Sequence, residues 1–507
     1  MATKKKPSSP GTPEFLRYPA FDIEVSGSTK NLSSNYTAEF IYSETDEPVI
    51  PAYPMFSAAP CETFSLARKL YIGLGSKDSL DLIGLGDIFR RVLPKLLRYP
   101  GKLQLLFPRE IYIDFSIDNI ANLFITAAAN SSYNVKFLKS GYAPINKKNK
   151  LTEFILVASR RKIDEWLTAS EKYSKIVPHI LACRQTQVLP ASHFNPEHAE
   201  QRARALAQQY KLKLQVYGKK ALEDLGAGGI LAVHQGSEGE PKMLVLEYSP
   251  PASVLPKKNS GKSLKTLALI GKGVCFDTGG ISLKPSSEMH EMKFDMSGAA
   301  TAMHAIAAIS QLKLPVKVIS VLGMVENVPD SRAIKPGDVY TSLKGTTVEV
   351  QNTDAEGRLV LGDLLHFAER EYKPDLMINL ATLTGAIIIS LGHYYSGLFT
   401  PGDTTASIIE KAADNSQEPV WRMPMHRLYK DMLKSDIADL NNIGGRAAGS
   451  CTAAAFLSQF VENTEKWAHL DIAGISFMKS GFGVYPGGGT GYGVRLLSEV
   501  ASQLAES

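Results

Sequence analysis

Apolar and polar positions along the chain change period several times, and each change predicts an element. Alternation in AEFIYS (residues 38–43) predicts a strand with one buried face, and the apolar spacing in LGDIFRRVLPKLLRY (85–99) predicts an amphipathic helix. Beyond residue 180 the pattern becomes regular. PEHAEQRARALAQQY (196–210) reads as a helix leading into the strand KLQVY (213–217). TLALI (266–270), VKVISVLGMV (316–325) and LMINLA (376–381) read as further strands, separated by helices at about 296–312 and 357–372. Strands alternating with helices at this spacing imply an α/β fold with a mainly parallel central sheet covered on both faces. Ligands gather beyond the carboxyl ends of the strands in such sheets.

The length of 507 residues points to two domains. The charged stretch ASRRKIDEWLTASEKYSKI (158–176) reads as a solvated connecting helix at their junction. This divides the chain into a tail (1–17), a smaller first domain (18–175) and a larger catalytic domain (176–507). Lys4, Lys5 and Lys6 form the one basic cluster, set in a Pro/Ser/Gly-rich start that reads as disordered tail. A net charge of +5, spread along the chain, gives no reason for a nucleic-acid or membrane partner. Residues 1–15 lack the apolar stretch of a signal peptide, and the longest apolar run, Leu376 to Leu391, is interrupted and too short to span a bilayer. The four cysteines have no CxxC spacing, which fits a reducing, cytoplasmic setting.

Three polar clusters follow predicted strands. GKGVCFDTGGISLKP carries Lys272, Asp277 and Lys284, with Gly279 and Gly280 allowing close backbone approach. MKFDMSGAA places Asp295 at the start of a helix, and VEVQNTDAEGRLVL places Asp354, Glu356 and Arg358 at spacing two, pointing one way if the chain is extended. Four carboxylates beside buried strands need compensation, because burying unpaired negative charge is costly. Two divalent cations roughly 3.5–4 Å apart would supply it and suit metal-assisted hydrolysis. None of the ten histidines lies in an HExxH arrangement, so a one-zinc peptidase is not indicated. Each residue has a simpler reading taken singly: Asp295 as a helix N-cap, Asp354 as a turn residue, Arg358 as a partner of Glu356, Lys272 and Lys284 as surface lysines. His290 reads as a loop histidine before a ligand, and Cys275 as a small core residue.

NTDAEGRL (352–359) resembles the signature of the leucyl aminopeptidase family, the di-metal cytosol aminopeptidases. PGDV (336–339), TVEV (347–350), LATLTGA (380–386), ADLNNIGGRAAG (438–449) and WAHLDIAG (467–474) agree in order and spacing, and the overall pattern is similar to the animal aminopeptidase-like branch. The resemblance covers roughly residues 180–507. It implies a smaller N-terminal α/β domain, a larger catalytic α/β domain and a homohexamer. It further implies a metalloaminopeptidase that hydrolyses the first peptide bond of peptides with a free N-terminus, using a water activated by two metals. Lys272, Asp277, Asp295 and Glu356 would hold one ion, and Asp277, Asp354 and Glu356 a more exchangeable one. Zinc is the expected metal, with manganese or magnesium also compatible with the exchangeable site. Lys284 would stabilise the oxyanion, and Arg358 would hold a bicarbonate acting as base. Met292, Asn352, Thr382, Leu383 and Ala473 would line the substrate site.

The chain departs from the family at CRQTQVLPAS (183–192), and Ser476 stands where a larger pocket-lining residue is expected. Met292, Ala473 and Met478 then remain as apolar candidates for the first-residue pocket. Two rival readings are a catalytically silent homologue acting as a structural or binding assembly and a two-metal phosphohydrolase. The second lacks a phosphate-cradling loop of the Walker type.

Overall fold

The structure is a computed structural model and describes residues 21–27, 36–43, 55–133, 138–140, 151–255 and 264–506. Lys4 to Lys6 and the expected tail lie outside the described residues. The chain divides into two compact units, one running up to Leu181 and taking in Lys479–Gly487, the other made of Ala182–Met478 and the C-terminal segment from Gly488.

The first unit holds a six-stranded sheet in the order Asp22–Ser26, Leu151–Val157, Gly101–Leu106, Tyr36–Tyr42, Lys69–Gly75, Thr63–Leu66. Only the last pairing is antiparallel. The amphipathic run predicted at 85–99 forms the helix Leu82–Leu96, opened by Asp81, whose side chain accepts from Gly84 N. Its buried face carries Phe89, which meets Phe40, Phe107 and Phe124 edge-on. The junction stretch folds as one helix, Ile163–Val188. It is not solvated all round: Trp166, Tyr173, Ile176 and Val177 are buried, because the charged residues occupy only one of its faces.

The second unit is built on an eight-stranded sheet. In order its strands are Val420–Arg422, Ser396–Phe399, Trp467–Asp471, Leu376–Ala381, Thr266–Asp277, Lys317–Asn327, Lys242–Tyr248 and Lys213–Tyr217. The four central strands are mutually parallel, while the edges mix directions. Helices Ser297–Leu312 and Gly357–Tyr372 appear where the apolar period predicts them.

The strand expected to end at residue 270 continues to Asp277. Its glycines belong to the sheet because helices and side chains press on it there. A Cβ at Gly271 would come 2.4 Å from Ala299 Cα, and one at Gly273 would come 2.5 Å from Met324 Sδ. Lys272 and Asp277 are therefore strand residues, not loop residues. Strand alternation puts Lys272 on the face of Ala268, Ile270 and Val274, which pack in the core with Leu359 and Val360 of the helix Gly357–Tyr372.

Candidate metal centre

Three carboxylates from two segments meet beyond the strand ends. One oxygen from each of Asp277, Asp354 and Glu356 lies within 4.8 Å of the others. Asp295 stands outside that group and is tied to it through Lys272, whose Nζ lies 2.9 Å from Asp295 Oδ2 and 2.8 Å from Glu356 Oε1. Lys272 Nζ also donates to the Thr382 carbonyl at 2.9 Å. Lys284 Nζ lies 2.8 Å from Asp277 Oδ2 and 2.5 Å from Asp354 Oδ1.

Several of the simpler single-residue readings are overturned. Lys272 is buried, and Asp295 does not cap the helix Ser297–Leu312, whose N-cap residue is Met296. The Asp295 carboxylate instead accepts from Thr382 Oγ1 at 2.7 Å. Arg358 does not pair with Glu356: its Nη1 donates to the Asn442 carbonyl at 2.8 Å, while Glu356 is taken by Lys272. The extended geometry expected for Asp354, Glu356 and Arg358 is also wrong. The strand stops at Glu349, Glu356 is already helical and Gly357 begins the helix, so these side chains converge through a turn and not through strand alternation. Cys275 is a core residue as expected, and all four cysteines are free. His290 is exposed and stands outside the acidic group.

Two loops are clipped together around the acids. Thr353 Oγ1 donates to the Gly279 carbonyl at 2.6 Å and accepts from Ser282 N at 2.8 Å. Gly279 and Gly280 have φ of 87° and 65°, a region that favours glycine, and a Cβ at Gly279 would come 2.8 Å from Asp354 Oδ1. Asn327 Nδ2 donates to Asp277 Oδ1 at 2.8 Å, and Gly279 N donates to the same oxygen at 2.9 Å. Asn442 braces the signature turn: its Oδ1 accepts from Gln351 N at 2.9 Å and its Nδ2 donates to the Asn352 carbonyl at 2.6 Å. Asp471 accepts from Leu383 N at 3.2 Å and from Thr384 Oγ1 at 2.7 Å, fixing the loop that carries Thr382 and Leu383. Sequence reasoning did not single out Asn327, Asn442 or Asp471. The last two lie in stretches that matched the family, so their order in the chain was visible but their contacts were not.

Of the expected substrate-site residues, Thr382 is buried while Met292, Asn352, Leu383 and Ala473 are half-buried. Ala473 packs on an apolar cluster of Ile387, Phe399, Cys451 and Ala454, edged by Met423, Met425 and Tyr429, which carried no sequence signal. Met478 and Ser476 are fully buried.

Burial pushes the carboxyls of Asp277, Asp295 and Asp354 above the ordinary aspartate range, and the two lysines offset this only in part. Burial opposes the charge of Lys272 most strongly, but Asp295, Glu356 and Asp277 outweigh it and raise its pKa. So many acids in one dry site fit divalent cations: oxygen ligands are grouped, partly desolvated and held by Asn327 and Asn442. Arg358 has the complementary character. It is buried, burial lowers its pKa to about 10, and its Nε–H has no acceptor among the described residues. Such a guanidinium fits a small oxyanion.

The cytosol aminopeptidase family's catalytic domain matches residues 181–498. A probable cytosol aminopeptidase of Chlorobium phaeobacteroides is 42% identical over 457 residues, 87% of each chain. Another, from Chloroherpeton thalassium, is 37% identical over 96% of each chain. Among solved structures, the bottromycin maturation enzyme BotP in complex with Mn is 30% identical with a TM-score of 0.81, covering 93% of this chain and all of that one. The phosphohydrolase and silent-homologue readings give way to this, and the chain belongs to the cytosol aminopeptidase family, whose members are metal-dependent aminopeptidases acting on peptides.

Proposed function

We propose that the enzyme cleaves the first peptide bond of peptides using two divalent ions. Lys272, Asp277, Asp295 and Glu356 hold one, and Asp277, Asp354 and Glu356 hold the other. The observation that carries this reading is the grouping of Asp277, Asp354 and Glu356 oxygens within 4.8 Å, with Lys272 joining Asp295 to them. When bound, the ions act as Lewis acids that polarise the scissile carbonyl and make a water nucleophilic at neutral pH. Zinc suits both sites, and manganese or magnesium suits the exchangeable one.

The chain's own residues divide the remaining work. To serve as a ligand, Lys272 gives up its proton, which cations beside it favour. Lys284 presents its ammonium to the oxygen on which negative charge develops. Arg358 would hold a bicarbonate, which would supply a base for the water's proton, a task suited to the unspent Nε–H of the guanidinium. Met292, Asn352, Thr382, Leu383 and Ala473 contact the substrate, whose free amine is read at the metal site. The family resemblance supports a homohexamer in the cytoplasm; among the described residues no helix is long and apolar enough to cross a membrane.

The test is hydrolysis of leucyl and other aminoacyl anilides, N-acetylated controls and a phosphate ester, with and without a chelator. Chelator-sensitive cleavage of free-amine substrates alone is the expected result. Cleavage that survives complete metal removal would overturn the reading.

A further inference from the structure

One buried histidine of the catalytic unit plays no part in the scheme above. His469 lies on the strand Trp467–Asp471, in register with Asn379 of the parallel neighbour. It has no exposed surface, and the ring of Phe399 stacks on it at 5.7 Å. Two side chains, Trp467 and Asn379, define its tautomer. Trp467 Nε1–H donates to Asn379 Oδ1 at 2.9 Å. An indole nitrogen only donates, so that contact identifies the amide oxygen. Asn379 Nδ2–H therefore donates to His469 Nδ1, 2.8 Å away. A neutral imidazole that accepts at Nδ1 carries its proton on Nε2. The ring is neutral, since burial, and after it the charge of Arg358, pushes its pKa down to about 3.

The consequence is an unspent donor. His469 Nε2–H has no acceptor among the described residues, and neither has Arg358 Nε–H. The histidine does not accept from the arginine. The Trp467–Asn379 relay excludes that bond by occupying the ring's one lone pair. A buried N–H left without an acceptor is destabilising, and the charge of Arg358 reaches His469, so the two unspent donors point to a guest rich in acceptor oxygens. Strand alternation also places His469 on the same face as Asp471, which orients the Leu383–Thr384 loop.

We infer that His469 is a positioning residue that donates from Nε2, beside Arg358, to the oxyanion that Arg358 holds. This rests on the reading of Arg358 as the bicarbonate anchor. The neutral ring adds a directed hydrogen bond without a second charge, so the anion is oriented but keeps the basicity it needs to take a proton. The Trp467–Asn379 pair acts one step further out, by holding the tautomer.

The experiment titrates bicarbonate into metal-loaded wild type, His469→Phe and His469→Gln in carbonate-depleted buffer, following kcat and thermal stability together. The phenylalanine keeps the stacking on Phe399 and loses the donor, whereas the glutamine amide restores a donor near the Nε2 position. The half-saturating bicarbonate concentration should rise about tenfold in His469→Phe and less in His469→Gln, with kcat recovered at saturation. Thermal stabilisation by bicarbonate should weaken in parallel, with metal content unchanged. An unaltered half-saturation point in His469→Phe would overturn the role of His469 alone. A wild type with no response to bicarbonate would overturn the Arg358 reading and this one with it. Should the phenylalanine variant not fold, 15N NMR of the wild-type histidines decides. A proton on Nε2 that shifts on adding bicarbonate supports the proposal, and one on Nδ1 overturns it.

Discussion

Gly357 lies directly against Lys272: a Cβ there would come within 2.7 Å of Nζ and 2.5 Å of Cε. The lysine amine reaches Glu356 and Asp295 by passing over the first residue of the helix Gly357–Tyr372, and only a residue without a side chain leaves that path open. Gly357→Ala should fold, since Gly357 is helical and alanine favours helix. It should nonetheless displace the amine, which is pinned on three sides. A fall in kcat/KM of about 10²-fold is expected, with looser binding of one metal. Wild-type activity and metal content in Gly357→Ala would show that the Lys272 contact is dispensable.

Lys284 touches two of the acids yet is outside the proposed ligand set. Lys284→Ala should lower kcat by about 10²–10³-fold, the range for losing one oxyanion donor. Metal content should hold or rise, because a competing positive charge leaves Asp277 and Asp354. Near-normal turnover in the fully metallated variant would remove Lys284 from the chemistry.

The acids differ in how many ions they are assigned to serve. Asp354→Asn should purify with about one metal per chain, with low activity partly rescued by added manganese or zinc. Glu356→Ala removes the carboxylate proposed to serve both ions and leaves Lys272 without one of its two carboxylates, so it should keep little of either metal and show no rescue. Elemental analysis after dialysis, followed by metal titration, checks both. Retention of two metals by both variants would contradict the ligand set.

Burial raises the Asp471 carboxyl to about 6. Because the folded pKa lies above the unfolded one, the native state keeps a proton that the unfolded chain has released. The stabilising contribution of Asp471 is therefore full below about pH 4 and is lost as pH rises to about 6. Asp471→Asn removes this dependence: its amide oxygen can still accept from Leu383 N and Ala473 N, and Thr384 can turn its hydroxyl to Ser450. The stability of Asp471→Asn relative to wild type should rise by up to about 3 kcal/mol between pH 4 and 6 and stay level above. Denaturant unfolding across that range measures it. A flat difference would mean that Asp471 titrates as an ordinary carboxyl.

Much of the molecule was legible in the sequence because it depends on local period and on residue type. The helices Pro196–Tyr210 and Gly357–Tyr372 and the strand Leu376–Ala381 follow from apolar spacing, and the acids that gather at the site were marked by their clustering after strands. What tertiary structure decided is which of those groups meet and in what state. Glycines at 271 and 273 fall beyond the strand that the apolar run predicts, yet they lie in that strand, where Ala299 and Met324 press on them. Asp295 reads as a helix cap, yet its carboxylate is spent on Thr382 and Lys272, which no local pattern encodes. Lys272, Arg358 and His469 are ordinary polar residues in sequence. Their unusual proton affinities and unspent donors arise only when distant segments fold over them and exclude water, because burial and partner charge are properties of a site in space and not of a position in a chain.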